Sequence, residues 1–306
     1  MQIHNLFLKY DQKRQVELER NSNKLASGKR ILKPSDAPVD LAQSLRYKSF
    51  KSEIEGFLRN IDMVKNTQEI AEGALNNIVE SGQEIRVELV HILNTGVLDA
   101  DDAKVLRDFF KGMRDYLIDE ANVKIGDHYL FSGTKSQTAP IDNDGVYQGN
   151  TAKTTVPIAK NVESTIRFNG KNFLGIGTIE GQEKMIMTAV LDKVIAAIDS
   201  GDLSHLHDSD FLNINGHNYA LLEAFDLGLN GVMSGRSSIG SQRKTTENIE
   251  EQHQMFEVSF NNLISKLEDA DFTKTISELE KNKVAYEATM QSYNQNRKLS
   301  LLDYLH

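Results

Sequence analysis

Residues 54–92 read IEGFLRNIDMVKNTQEIAEGALNNIVESGQEIRVELVHI. Within this stretch Ile54, Phe57, Ile61, Val64, Gln68, Ala71, Leu75, Ile78, Gly82, Ile85, Leu89 and Ile92 follow one another at alternating steps of three and four. Side chains so spaced line one stripe of an α-helix, and a stripe held over several heptads needs another helix to cover it. Gln68 and Gly82 are its weak points. A glycine costs a helix about 1 kcal/mol relative to alanine, so Gly82 is expected to serve a close helix–helix approach. Asn94-Thr95-Gly96 ends the helix, and Asp99, Asp101 and Asp102 offer N-caps to a second one over roughly 101–125.

The C-terminal part repeats the pattern. Thr246, Ile249, His253, Phe256, Phe260, Leu263 and Leu267 again step three and four. Asp269-Ala270-Asp271 predicts a joint at which an aspartate caps the next helix. That helix passes Ile276, Leu279, Tyr286, Met290 and Tyr293 and closes on Leu299, Leu301, Leu302 and Leu305. Residues 131–180 differ in character. Ser132-Gly133, Asn143-Asp144-Gly145, Gly149-Asn150 and Asn169-Gly170 are turn signals, and the runs 154–158, 164–168 and 172–176 are rich in β-formers. Residues 185–198 and 219–232 are apolar helical segments. The expected fold is therefore mainly α: a long, coiled-coil-like helical rod from both chain ends with a small β-rich domain inserted. Residues 1–35 and 272–306 would form a terminal helical part, 36–132 and 216–271 the rod, and 133–215 the outer insert.

Composition fits a long helical protein with little interior. The 306 residues are 39% hydrophobic, below the ~45–50% of an average globular domain. The formal net charge of -9 excludes general nucleic-acid binding. With no cysteine there is no disulfide staple, thiolate metal site or cysteine nucleophile. No apolar run approaches the ~20 residues that span a bilayer, so no membrane insertion is expected. The first ten residues hold no apolar core of signal-peptide length.

One local motif stands out. Leu25-Ala26-Ser27-Gly28-Lys29-Arg30-Ile31 is followed by Lys33-Pro34-Ser35-Asp36-Ala37-Pro38. Gly28 suits a left-handed helix cap, and Pro34 disfavours helix at Lys33. Ser35 or Asp36 can cap the next helix, with Pro38 in its first turn. Other candidates are weaker. His205, His207, Asp208, Asp210 and His217 are metal-ligand types on a polar loop with no partner motif, and are read as a solvated loop. Asp142-Asn143-Asp144-Gly145 lacks the later carboxylates of a calcium loop and is read as a turn. No nucleophile–base pair or paired carboxylates suggest an enzyme, and no cofactor is expected.

The Ser27-Gly28, Arg30-Ile31 and Pro34-Ser35-Asp36 positions resemble the N-terminal signature of the flagellin and hook–filament junction superfamily. Tyr129-Leu130-Phe131-Ser132-Gly133-Thr134 resembles the signature found where that family's rod meets its insert. Glu268-Asp269-Ala270-Asp271 and the final Leu299–Leu305 run resemble its C-terminal signature. The resemblance implies a non-catalytic structural subunit of the bacterial flagellum, on the branch that joins hook to filament. It implies export as an unfolded chain through the flagellar type III apparatus without a cleaved signal, so an extracellular location. The implied partners are copies of itself in a helical lattice, the other hook–filament junction protein, flagellin, and a cytoplasmic export chaperone. A flagellin proper, or a coiled-coil binding module that is not exported, are the alternatives. Leu6, Leu8, Val16, Leu25, Ile276, Leu279, Tyr286, Met290, Tyr293, Leu299, Leu301, Leu302 and Leu305 are the expected subunit contacts. The same apolar positions also fit an intramolecular coiled coil.

Overall fold

The computed structural model describes residues 2–94, 100–200 and 211–303, with side chains over 7–94, 101–200 and 211–295. Six helices occupy most of this length: α1 Gln2–Ser27, α2 Pro38–Asn94, α3 Ala100–Ala121, α4 Ile186–Ser200, α5 Leu221–Glu268 and α6 Phe272–Asp303. Among the described residues, eight short strands lie between α3 and α5 and pair as antiparallel hairpins: β1 Lys124–Ile125 with β2 His128–Tyr129, β3 Thr154–Ala159 with β4 Val162–Arg167, β5 Ile176–Ile179 with β6 Gln182–Met185, and β7 Phe211–Ile214 with β8 His217–Ala220. The mainly α class with a strand-bearing insert is the one the periodicity predicts. The chain divides into two compact units, one of Met1–Glu55 with Gln254–His306 and one of Gly56–His253.

In the Gly56–His253 unit the predicted stripe of α2 is the core. Ile61, Val64, Gln68, Ala71, Leu75, Ile78, Ile85, Leu89 and Ile92 are all buried. They pack in one continuous cluster with Phe110 and Leu117 of α3, Met187 to Val194 of α4, and Phe225 to Ile239 of α5, apart from Ile61 and Val64, which close with Ile158 of β3, and Gln68. Gly82 is a point of close approach, as expected. A Cβ there would lie 2.8 Å from both Leu229 Cδ1 and Met187 Cε. Gln68 remains a weak point: its Nε2 reaches Thr246 Oγ1 at 3.4 Å and its buried Oε1 has no partner among the described residues.

Four expectations need correction. The second helix stops at Ala121, not near 125, because Gly126 at φ +59° turns Lys124-Ile125 back onto His128-Tyr129. The run 172–176 is not a strand. Residues Gly170–Asn172 form a 3-10 turn and Gly175 takes φ +61°, so pairing starts only at Ile176. Met185, at the start of the apolar segment 185–198, ends β6. Residues 219–220 close β8 before α5 begins, and the hairpin they belong to turns on Asn215-Gly216, both at positive φ. That dipeptide is the sequence signal for such a turn. The reading of 142–145 as a turn holds: Gly145 N donates to Asp142 O at 3.0 Å, and Asp144 and Val146 N–H bond Asp142 Oδ1.

Candidate assembly interface

The Met1–Glu55 and Gln254–His306 unit is built differently. Here α1 packs along α6, and the first turns of α2 meet the end of α5. Phe7 stacks on Tyr293 with ring centroids 3.8 Å apart, and Phe260 meets Tyr47 and Phe50, each at 5.9 Å. Yet among its described residues only Ile54 and Ala270 are buried apolar side chains, and neither large core cluster enters it. Many of its large apolar side chains face solvent instead. Val16 is 62% exposed, Val39 76%, Met255 65% and Val284 65%, and Leu8, Leu45, Phe50, Phe256, Val258, Phe272 and Ile276 are exposed with them. Scattered exposed leucines need no explanation, but a helical unit with apolar residues outside and almost none inside does.

Of the expected contacts, Leu8, Val16 and Ile276 are exposed, whereas Leu25, Leu279, Tyr286, Met290 and Tyr293 are half-buried. Tyr293 faces α1 through Phe7, and Tyr286 Oη lies 3.5 Å from Gln15 Nε2. The side chains of Leu6, Leu299, Leu301 and Leu302, and all of Leu305, lie outside the described residues. So do His205, His207, Asp208 and Asp210, while His217 is exposed on β8. Among the described residues no cluster of side chains could hold a metal ion, and no helix is long and apolar enough to cross a membrane.

The local motif fastens this unit together. Gly28 caps α1 at φ +67°, and its carbonyl accepts from Ala270 N at 2.9 Å. Ser27 Oγ bonds back to Asn23 O and accepts from Lys29 N. Arg30 N donates to Glu268 O at 2.6 Å, and the Arg30 guanidinium reaches Leu267 O and Asp40. Lys29 pairs with Asp269 at 2.6 Å. Glu268, 7% exposed, accepts from Ser44 and Lys48 and lies 3.5 Å from Lys29. Burial opposes its ionisation, but the hydrogen bonds from Lys48 and Ser44 and the nearby lysine charges outweigh it, and its carboxyl is held below the usual range. Asp269 is likewise lowered, first by the Lys29 hydrogen bond and then by Ser265, and Lys29 is raised by Asp269. Asp271 caps α6 through Lys274 N at 3.0 Å, as the sequence predicts.

Neither Ser35 nor Asp36 caps α2. Asp36 turns back, accepting from Leu32 N and Lys33 N at 3.1 Å and pairing with Arg20 of α1 at 2.8 Å. The turn that Pro34 enforces leaves the Asp36 carboxylate nearer the unpaired N–H groups before it than those of the helix after it. Ile31 is half-buried, and Pro34 and Ser35 are exposed. Glu268 sits inside a sequence motif, but nothing marks Ser44 and Lys48 as its neighbours, or Asp40 as the partner of Arg30. On a helix they read as ordinary solvated positions.

The third motif lies in the Gly56–His253 unit. Phe131 and Ser132 are fully buried, and Gly133, at φ +67°, donates to Phe168 O at 2.9 Å. A Cβ on Gly133 would lie 2.6 Å from Ala152 O, so only glycine fits. Tyr147 Oη donates to Phe131 O at 3.1 Å and accepts from Gly170 N at 3.0 Å. The motif thus holds the insert's loops together and does not form part of the exposed apolar surface.

Comparison with known proteins accords with this architecture. Residues 4–136 match the bacterial flagellin N-terminal helical region, and residues 222–305 match the bacterial flagellin C-terminal helical region. Flagellar hook-associated protein 3 of Escherichia coli (strain K12) is 23% identical over 298 residues, covering 94% of this chain and 92% of that protein. The flagellin of Bacillus subtilis (strain 168) is 26% identical over 283 residues, covering 89% and 86%. Among solved structures, a putative flagellar hook-associated protein from Vibrio parahaemolyticus shares the fold with a TM-score of 0.64 at 22% identity, over 76% of this chain and 100% of that one. FlgL of Bacillus cereus does so with a TM-score of 0.59 at 19% identity, over 72% and 99%. The helical regions at both ends and the strand-bearing segment between them are thus accounted for together: the chain belongs to the flagellin superfamily.

Proposed function

We propose that this chain is the hook–filament junction subunit of a bacterial flagellum, an axial adaptor with no catalytic role. The observation that carries this is the terminal unit with its apolar side chains outside and almost no apolar core. A helix gains most of its stability from covering an apolar face. In a helical lattice the neighbouring subunits supply that cover, and contacts that repeat head to tail without closing build a filament. Residues 1–35 and 272–306 are read as the polymerising part. Leu8, Val16 and Ile276 are the contacts open to neighbours, and Leu6, Leu299, Leu301, Leu302 and Leu305 continue the same stripes in sequence. Residues 36–132 with 216–271 carry the lateral helices, and 133–215 the outer insert.

The relatives named as hook-associated proteins favour a junction role. A junction subunit presents one surface to the hook side, where the other junction protein sits, and one to flagellin. Export unfolded, guided by a cytoplasmic chaperone, delivers it to the growing tip outside the cell. Deletion of the gene tests this. Hooks should remain complete, filaments should be few or absent, and flagellin should accumulate in the culture fluid as monomer. Electron microscopy of the cells and an assay of the medium read both outcomes. Normal filaments on the deletion strain would refute the junction role. The similarity to a flagellin favours a second reading, a filament subunit. In that case the chain would dominate sheared flagella, whereas a junction subunit is a trace component.

A further inference from the structure

The β3–β4 hairpin carries a bulge near its tip. Pro157 pairs with Glu163 and Ala159 with Val162, so Ile158 faces no partner across the ladder. Its carbonyl turns instead to α5 and accepts from His253 Nε2 at 2.8 Å. The preceding carbonyl, on Pro157, accepts from Asn60 Nδ2 of α2 at 2.7 Å. Two successive carbonyls of one strand thus tie the hairpin tip to two helices. The Ile158 side chain is buried with Ile61 and Val64 in a small cluster apart from the main core, and Val156, Ile166 and Ile249 pack around it. At its other end the hairpin joins the main core, where Phe168 N donates to Leu130 O at 2.9 Å. Between the two ends a cleft of about 280 Å³ separates Glu163 and Thr165 from Ser241, Gln242 and Thr245 of α5.

His253 is 6% exposed and stacks on Phe57 with ring centroids 5.5 Å apart. A carbonyl only accepts, so Nε2 carries a proton and, in the neutral ring, Nδ1 is a bare acceptor. That Nδ1 is buried and has no partner among the described residues. Closing the tip keeps it from water and puts no donor in water's place. Releasing the tip lets water reach it, which favours the open state. A two-stranded hairpin gains little stability alone, and this one is fastened at its ends over a hollow and a small cluster. Those are the features of a segment that opens before the whole unit unfolds. We propose that the β3–β4 hairpin is a strap whose tip releases from α2 and α5 while the main core stays folded, and that His253 is its latch. Release uncovers Ile61, Val64 and Ile249. The strap goes beyond the assembly reading and does not depend on it.

The chain has no cysteine, so a single introduced thiol reports opening directly. Val64 and Val79 both lie on α2, at 0% and 3% exposure, but Val64 is in the small cluster under the strap and Val79 in the main core. Val64→Cys and Val79→Cys make the same chemical change in equally dry places. In the full-length chain, with a disulfide reagent such as dithionitrobenzoate, Val64→Cys should label roughly 100-fold faster than Val79→Cys, because it needs only local opening. Equal rates would mean that both thiols wait for the same global unfolding, and would overturn the strap. His253→Ala tests the latch. Added to Val64→Cys it should speed labelling roughly tenfold, the worth of about one hydrogen bond, and added to Val79→Cys it should leave the rate unchanged. Acceleration of both thiols alike, or of neither, would overturn the role of His253. The comparison of the two cysteine variants with His253 in place decides the strap even if His253→Ala fails to fold. Neither result bears on whether the chain is found in flagella, so the junction reading stands or falls separately.

Discussion

Gly175 should be among the least replaceable residues of the Gly56–His253 unit. It sits at φ +61°, and a Cβ added there would lie 2.3 Å from the carbonyl oxygen of Gly228, whereas ordinary contact begins at 3.4 Å. The obstacle is α5 backbone, which cannot rotate away. The loop would have to withdraw by about 1 Å, loosening Phe173 and Leu174 from the core they help to close. The left-handed conformation costs alanine about 1 kcal/mol, and overpacking adds about 2 kcal/mol more. Gly175→Ala should therefore lose about 3 kcal/mol, or roughly 6–12 °C in a unit of this size. Two companion variants separate the causes. Gly181 has φ +78° but nothing within 4 Å, so Gly181→Ala carries the conformational cost alone, about 2–4 °C. Gly73 is an exposed α2 glycine with nothing within 4 Å, and Gly73→Ala should raise the melting temperature by a similar ~2–4 °C. The assay is thermal loss of helical circular dichroism. If Gly175→Ala melts with Gly181→Ala, the close approach of loop to helix is not what fixes this glycine.

Four further outcomes follow from particular side chains. Gln68→Leu removes a buried amide whose Oε1 has no partner, and should stabilise the chain by about 1 kcal/mol in denaturant unfolding; a loss of stability would mean the amide is satisfied after all. Glu268→Gln should weaken the fastening between the two helix joints by about 1–2 kcal/mol, discounted because Lys48 and Lys29 are nearly half exposed, and should speed amide exchange at Arg30 and Ala270. Both Glu268 and Asp269 are held below their usual range, so their contribution is present above the ordinary carboxylate values and is lost as pH falls through the lowered ones; amide protection there should stay flat from neutrality to about pH 5 and drop only in stronger acid. Val16→Asp should leave the unfolding free energy within ~0.5 kcal/mol of the parent, because the side chain is 62% exposed, yet remove the chain from purified flagella; normal incorporation would take Val16 out of the contact.

The helices were legible because their signal is local. The three-and-four spacing of Ile54 to Ile92, the glycine cap at Gly28 and the aspartate cap at Asp271 act within a few residues, and α2, the end of α1 and the start of α6 fall where these place them. The turn at 142–145 is local in the same sense. Tertiary structure decided the rest. Residues 172–176 have the composition of a strand, but Gly175 must meet Gly228 on α5, and that contact bends the chain before pairing can start. Glu268 gathers Ser44 and Lys48 from more than two hundred residues away, a distance over which no helix period or turn signal operates. The apolar stripes of the terminal helices looked like a seam in sequence. Only the folded chain reveals which of their large side chains stay uncovered, Leu8, Val16, Phe272, Ile276 and Val284 among them, because burial is a property of what packs against a residue and not of the residue's own spacing.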